Sequence, residues 1–334
     1  MASTTTRWGL IGASDVAAAR VAPAMRAVGH EVVGVFSSST EYAARYAAEH
    51  EIRFATGDLD ALLSRDDIDA VYISSTNDRH ASQAKAAAAA GKHVLCEKPI
   101  ATSLEDARGI VEACDKAGVQ LAVNHHLPGA GTHRTVRALV RAGAIGRPLW
   151  VSVRHAVLLP ERLSGWRLSG EPGAGCIMDI TVHDASVVNQ LLGRRALEAM
   201  AMSVRQGPWD AQSEDAVASV IRYADDILVQ THDSFTSAFT PTCLEVHGDE
   251  GSIVATDVMT QDPVGGIRLQ DKTGAREIQV TDRRDLYQIA VGAFASAVQG
   301  EGRPTVSGQD GVEAYAVAQA VLDSTRSGQV VTVR

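Results

Sequence analysis

Over its first 125 residues the chain alternates short apolar runs with helix-forming stretches, and that alternation admits few folds. Residues 8–11, 31–36, 70–74, 94–95 and 120–123 read as strands, with a further short apolar element at 52–54. Between them 15–28, 41–49, 80–90 and 104–117 read as helices, and 59–63 follows the element at 52–54 without an assignment. The last two helices are closed by Gly91 and Gly118, which suit the left-handed residue that follows a helix. Largely apolar strands separated by helices imply βαβ units and a parallel sheet buried on both faces. Right-handed crossovers make that sheet doubly wound.

After about residue 145 the texture changes. Residues 148–159 alternate, and 216–223, 227–232, 243–247 and 252–258 are further strand candidates, with a hairpin connection at 248–251. Clustered strands with few helices predict a mostly antiparallel open sheet. Residues 286–298 and 311–325 read as amphipathic helices. The expected class is therefore α/β: a Rossmann-type doubly wound parallel sheet over 1–125, then an α/β domain with a large, mostly antiparallel open sheet over 126–334. A closing helix, 306–328, is placed to pack back on the first domain. The length of 334 residues suits two domains, and 45% hydrophobic residues suffice for two cores. A net charge of −9 argues against a general nucleic-acid or anionic-membrane surface. No apolar run approaches the roughly 20 residues of a spanning helix. Residues 1–6 are small and polar without an apolar signal core, so the expectation is a cytoplasmic protein with a loose N-terminal tip. Cys96, Cys114, Cys176 and Cys243 form no Cys-x-x-Cys pair, so neither a disulfide framework nor a thiolate zinc site is expected.

Three stretches carry chemistry. Gly12-Ala-Ser-Asp-Val-Ala17 joins the first strand to the first helix, where a dinucleotide fingerprint reads G-x-G-x-x-G/A. Gly12 makes the tight turn and Ala17 allows close helix–strand packing, while Ser14 departs from the middle glycine. The second strand runs into Ser37-Ser-Ser-Thr40, with no acid before Glu41 to hold a ribose 2′-hydroxyl. Hydroxyls there, with Arg20 or Arg45 as candidate cations, point to NADP(H) over NAD(H); the plain alternative is a polar turn and helix cap. Glu97-Lys98-Pro99 leaves the strand 94–95 at the edge where open α/β sheets bind ligands, although a lysine leaving a strand most often just meets solvent. Asp179 and His183 stand at i and i+4, on one face of a helix that follows a glycine-rich loop. Histidine is the usual proton carrier near neutral pH, yet such a pair is commonly only a surface pair. His125, His126, His155 and Asp179 lack a recognised ligand spacing, so no metal is expected.

In their order and separations, Gly12–Ala17, Glu97-Lys98-Pro99 and Asp179-x-x-x-His183 resemble the Gfo/Idh/MocA family of sugar and polyol oxidoreductases, over nearly the whole chain. Within the family, 7–14, 93–99, 124–127, 165–168, 179–185 and 258–261 are similar to a reductase of an anhydro-sugar. The resemblance implies that the open sheet of the second domain forms a homodimer or homotetramer. It implies that Lys98 polarises the substrate oxygen and that His183, with Asp179 beside it, donates a proton. The implied cofactor contacts are Gly12, Ala13, Ser14, Asp15, Val16 and Ala17 in the loop and Ser37 and Ser38 after the second strand. Ser75, Thr76, Asn77 and His80 follow the strand 70–74, and Glu97, Lys98 and Asn124 complete the set. The implied substrate contacts are Lys98, His126, Arg154, Trp166, Arg167, Asp179 and His183. Two departures stand out: Pro128-Gly129 where that reductase carries Arg-Asn, and Tyr42 where it carries an arginine near the 2′-phosphate.

The expected activity is NADPH-dependent reduction of a keto-sugar or anhydro-sugar carbonyl. The first alternative is an NAD(P)-dependent aldose, inositol or amino-sugar dehydrogenase using the same residues. A non-catalytic nucleotide-binding sensor and a redox-neutral, NAD-dependent glycoside-cleaving enzyme are the others.

Overall fold

A computed structural model of the chain describes residues 5–334, so the first four residues of the N-terminal tip lie outside it. The chain divides into two compact units. One holds the described residues up to His126 together with Tyr287–Val312, and the other holds Leu127–Leu286 and Glu313–Arg334.

In the first unit, β1 (Arg7–Ile11) leads through a π-helical turn, Ala17–Val21, into α1 (Ala22–Ala27). Then follow β2 (Glu31–Phe36), α2 (Thr40–Glu49), β3 (Phe54–Thr56), α3 (Leu59–Leu63) and β4 (Ala70–Ile73). The unit continues with α4 (His80–Ala89), β5 (His93–Cys96), α5 (Leu104–Ala117) and β6 (Leu121–Val123). The six strands lie in the order β3-β2-β1-β4-β5-β6, all parallel. Helices on both faces explain why these strands read as apolar runs rather than alternating ones. The strand order reverses between β1 and β4, and at such a switch point the loops leaving the carboxyl ends of the strands part to leave a crevice.

The second unit contains α6 (Gly131–Arg141), β7 (Pro148–Ala156) and the short α7 (Ser164–Arg167). A second π turn, Ile177–Thr181, runs on into α8 (Val182–Leu192). Seven strands follow: β8 (Ala196–Val204), β9 (Ala216–Tyr223), β10 (Leu228–Ser234), β11 (Cys243–Gly248), β12 (Gly251–Thr256), β13 (Gly266–Asp271) and β14 (Gly274–Ile278). With β7 and β15 (Val331–Thr332) they form a nine-stranded sheet in the order β14-β13-β12-β11-β7-β10-β9-β8-β15. Its pairings are antiparallel except that of β7 with β10.

Helices α9 (Leu286–Val298) and α10 (Gly308–Ser327) complete the chain. Phe294 of α9 packs its ring 5.3 Å from that of Trp8, both fully buried in the core of the first unit. Helix α10 gives its first residues to that unit and the rest to the other. Several elements of the second unit, among them β8, β13, β14 and α6, are absent from the sequence pattern. Strand β8 (ALEAMAMSV) is written in helix formers, and its pairing with β9 overrides that preference. Strand β14 is exposed on nearly all its residues, so it has no apolar alternation to read. Helix α6 is rich in arginine and buries only one side of its first two turns.

Candidate active site

The first unit gathers its chemistry at the carboxyl ends of β1, β4, β5 and β6. At the end of β1, Gly12 turns at φ +106°, and a Cβ there would stand 2.7 Å from the Ser75 amide nitrogen. Only glycine lets the two loops at the switch point approach so closely. Ala17 is fully buried against the sheet, as helix–strand packing requires. Ser14 Oγ donates to Ser74 Oγ at 2.7 Å and accepts the Ala17 amide at 3.2 Å, so its hydroxyl braces the loop. Two tyrosines one turn apart on α2 hold the same loop by its carbonyls: Tyr46 Oη donates to Ser14 O at 3.0 Å and Tyr42 Oη to Ala13 O at 3.3 Å. Neither tyrosine nor Ser74 stands out in the sequence as a loop partner, although Tyr42 and Tyr46 share the i, i+4 spacing of one helix face.

At the end of β2, Ser39 caps α2 by accepting the Tyr42 amide at 3.2 Å, while Ser37 and Ser38 precede it at the surface. Arg45 lies with its guanidinium 5.0 Å from the centroid of the Tyr42 ring. At the end of β4, Ser75 Oγ donates to Gln83 Oε1 at 2.6 Å. Thr76 precedes a 3₁₀ turn, Asn77–Arg79. His80 corrects an expectation. It has no accessible surface, and its ring nitrogens lie 2.9 Å from Pro99 O and 3.2 Å from Ser75 O. A side chain enclosed in that way ties two loops together and does not reach a ligand.

Glu97, just past β5, is a hub. Its Oε1 accepts Tyr72 Oη at 2.5 Å and Asn124 Nδ2 at 2.6 Å, and its Oε2 accepts the Lys98 amide at 3.2 Å. Burial and the Glu97 carboxylate hold Tyr72 well above the usual phenol range, so it stays a donor. Lys98 follows, half-buried, with a cis peptide bond to Pro99. The neighbouring His125 is pushed down to about 3, first by burial and then by the positive charges of Lys98 and His126. His126 stacks on the Tyr287 ring, with centroids 4.8 Å apart. Lys98, Glu97, Asn124, His125 and His126 thus form one group at the β5–β6 edge.

The second unit carries a separate group. Gly175 (φ +94°) lets Glu214 approach the start of the helical segment, where its Oε1 accepts the Ile177 amide at 3.1 Å. The π turn that follows holds Asp179, and α8 holds His183; both side chains are largely buried. Helices widened in this way are frequent at functional sites. Arg167 Nε donates to Asp179 Oδ2 at 2.8 Å, and its guanidinium lies 4.6 Å from the centroid of the half-exposed Trp166 ring. Trp166, Arg167 and Asp179 are therefore brought together. Arg154 is not. It alternates with His155 on β7, on the opposite face of the sheet, and its Nε donates to Pro241 O at 2.9 Å. Among the described residues no group of three or more His, Cys, Asp or Glu is arranged to hold a metal ion, and no helix is long and apolar enough to cross a membrane.

Comparison with known proteins agrees with this architecture. A family profile described as "Oxidoreductase family, NAD-binding Rossmann fold" matches residues 6–125, and one for the "GFO/IDH/MocA C-terminal domain" matches residues 133–254. The chain is 45% identical over 328 residues to 1,5-anhydro-D-fructose reductase of Ensifer adhaerens, covering 98% of each chain. It is 28% identical over 326 residues to D-xylose 1-dehydrogenase (NADP(+)) 2 of Haloferax volcanii, covering 97% and 98%. In fold it is similar, with a TM-score of 0.89 and 21% identity over 98% of this chain and 100% of the other, to a solved aldose-aldose oxidoreductase from Caulobacter crescentus. This chain, with its NAD-binding-type Rossmann unit and its companion sheet domain, belongs to the Gfo/Idh/MocA family of oxidoreductases.

Proposed function

We propose that the chain is an NADPH-dependent reductase of a keto-sugar or of a 1,5-anhydro-D-fructose-like carbonyl. The observation that carries this reading is the placement of Lys98 at the carboxyl end of β5, on the same edge of the sheet as the Gly12 turn that follows β1. When bound, the dinucleotide supplies the hydride. Lys98 stabilises the charge that grows on the carbonyl oxygen, an interaction stronger in the transition state than in the ground state. His183 supplies the proton, with Asp179 and the Arg167 that pairs with it orienting substrate hydroxyls. Glu97, fixed by three donors, holds the base of Lys98 and faces the nicotinamide ribose.

The residues fit the cofactor. The Gly12 turn leaves no room for a Cβ, and no carboxylate stands between the end of β2 and Glu41 to bind a 2′-hydroxyl or repel a 2′-phosphate. Arg45, exposed and stacked on Tyr42, offers the cation for that phosphate, which offsets the arginine that Tyr42 replaces.

The test is oxidation of NADPH and NADH over 1,5-anhydro-D-fructose, other keto-sugars, glucose and inositol, with cofactor binding followed by nicotinamide fluorescence. Rapid NADPH consumption with a keto- or anhydro-sugar is expected. In Arg45→Ala the NADPH Kd should rise about tenfold, with NADH little changed, the loss of one exposed charge-assisted contact. Turnover only in the oxidative direction, on an aldose or polyol, favours the dehydrogenase reading, to which the similarity to a xylose dehydrogenase lends weight. Cofactor binding without turnover favours a sensor.

The open face of the nine-stranded sheet supports a homo-oligomer. Met200, Met202 and Val204 alternate along β8, and Val220 pairs with Met200 from β9; each is about half exposed or more. A row of large apolar side chains on one sheet face marks an interface. Light scattering is expected to give a dimer or tetramer, and Met202→Glu to shift it toward monomer. A monomeric wild type would refute this assignment.

A further inference from the structure

Three ionisable side chains meet beneath the helix that carries Asp179 and His183. His155 on β7 and Asp233 on β10 are register partners on neighbouring parallel strands. Asp184, the residue after His183, reaches them from α8, and His155 Nδ1 lies 2.7 Å from Asp184 Oδ1. Thr181 Oγ1 donates to Asp233 Oδ2 at 2.5 Å and Thr231 Oγ1 donates to the same oxygen at 3.3 Å. The other two oxygens, Asp184 Oδ2 and Asp233 Oδ1, are buried and receive no donor from any other residue. Each carboxyl group shifts the other's titration, so the two face each other at close range. An ionised carboxylate is only an acceptor, so a hydrogen bond between them requires a proton on one of the pair. Neither side chain has any accessible surface, and like charges in contact cannot both persist there.

We propose that Asp184 and Asp233 share one proton at neutral pH, and that this acid pair, with His155 on its outer oxygen, is the positioning device for the helical turn that carries His183. The inference rests on the reading of His183 as proton donor. The hydrogen-bond pattern assigns the places. The two threonine hydroxyls fill Asp233 Oδ2, so Asp233 carries the proton on Oδ1 and donates it to Asp184. Asp184 is the carboxylate, receiving N–H from His155 on Oδ1 and O–H from Asp233 on Oδ2. The pair thereby clamps the π turn through Thr181 and the first turn of α8 through Asp184 onto two adjacent strands.

Burial agrees with a held proton: it pushes Asp184 up to about 8 and Asp233 well above the usual carboxylate range. His155, when protonated, is the one cation that draws Asp233 down, and its effect is the smallest of those acting there; the other neighbouring ionisable groups supply no compensating charge. Cys176, from the start of the helical segment, is held as a thiol by burial and then by Asp233, Glu214, Asp179 and Asp184. Glu214 is itself raised by burial. His133, from α6, is pushed down to about 3 by burial and then by Arg137 and His155. The folded chain therefore keeps a proton that the unfolded chain releases near pH 4, and stability falls as pH rises above about 4.

The test uses the whole protein with Asp233→Asn and Asp233→Ala. In Asp233→Asn the amide oxygen takes the threonine donors and the amide nitrogen donates to Asp184, so the clamp is kept without a titrating proton. At neutral pH the wild type should show the infrared carbonyl stretch of a buried carboxylic acid, absent in Asp233→Asn. Wild-type Tm should fall by several degrees between about pH 6 and pH 9, and Asp233→Asn should flatten that fall. In sugar reduction, kcat should stay within about threefold of wild type in Asp233→Asn and drop at least about tenfold in Asp233→Ala, with KM less affected. The infrared and melting measurements need no substrate, so they stand even if the reductase reading fails. Absence of the acid band, or a wild-type pH slope of Tm in Asp233→Asn, would overturn the shared proton. A kcat restored no better by Asn than by Ala would overturn the positioning role.

Discussion

Lys98→Met should lower kcat about 100- to 1,000-fold while leaving the Kd for NADPH within about threefold, because one preorganised donor to a developing oxyanion is typically worth that much. Methionine keeps the length and apolar stem of lysine and removes only the charged head, so the half-buried position should stay filled. The hub at Glu97 should survive as well, since its partners are Tyr72, Asn124 and the backbone amide of residue 98, not the lysine side chain. The experiment pairs fluorescence titration of the cofactor with steady-state rates on the sugar that the wild type reduces best. Lost binding with preserved kcat would make Lys98 a cofactor clamp, and unchanged values of both would remove it from the chemistry.

The features legible in the sequence are those set by local pattern. The parallel strands show as apolar runs because both faces are covered, and Gly12 shows because a β–α turn of that shape tolerates no Cβ. Asp179 and His183 are legible from spacing alone, and the sheet's open character from clustered strands. What the pattern hides is non-local. Tyr42 and Tyr46 brace the cofactor loop from a helix that begins more than twenty residues after it, and Asp233 meets Thr181 across more than fifty residues. Nothing beside Asp184 or Asp233 in the chain marks them as a pair; the register of β7 with β10 sets His155 beside Asp233, and α8 brings Asp184 to His155. His80 is the converse case. Its position after β4 suggests a ligand contact, but burial turns the ring inward to two carbonyls.

His183→Gln isolates the proton from the charge. Glutamine keeps a polar side chain of similar reach at a largely buried position but has no exchangeable acid or base function near neutral pH. General acid–base groups contribute roughly 10²- to 10⁴-fold, so reduction should slow by about that factor, with cofactor binding unchanged. The reverse reaction gives the sharper distinction. In oxidation of the product alcohol the same residue acts as base, and hydroxide in solution can take over that task when it is gone. The Gln variant's oxidation rate should therefore climb continuously with pH and approach wild type at the alkaline end, whereas its reduction rate should find no such rescue. Lys98→Met should gain nothing from alkali in either direction, because hydroxide cannot replace a cation on the oxygen. If His183→Gln instead stayed equally slow in oxidation at every pH, His183 would be holding the substrate rather than moving its proton.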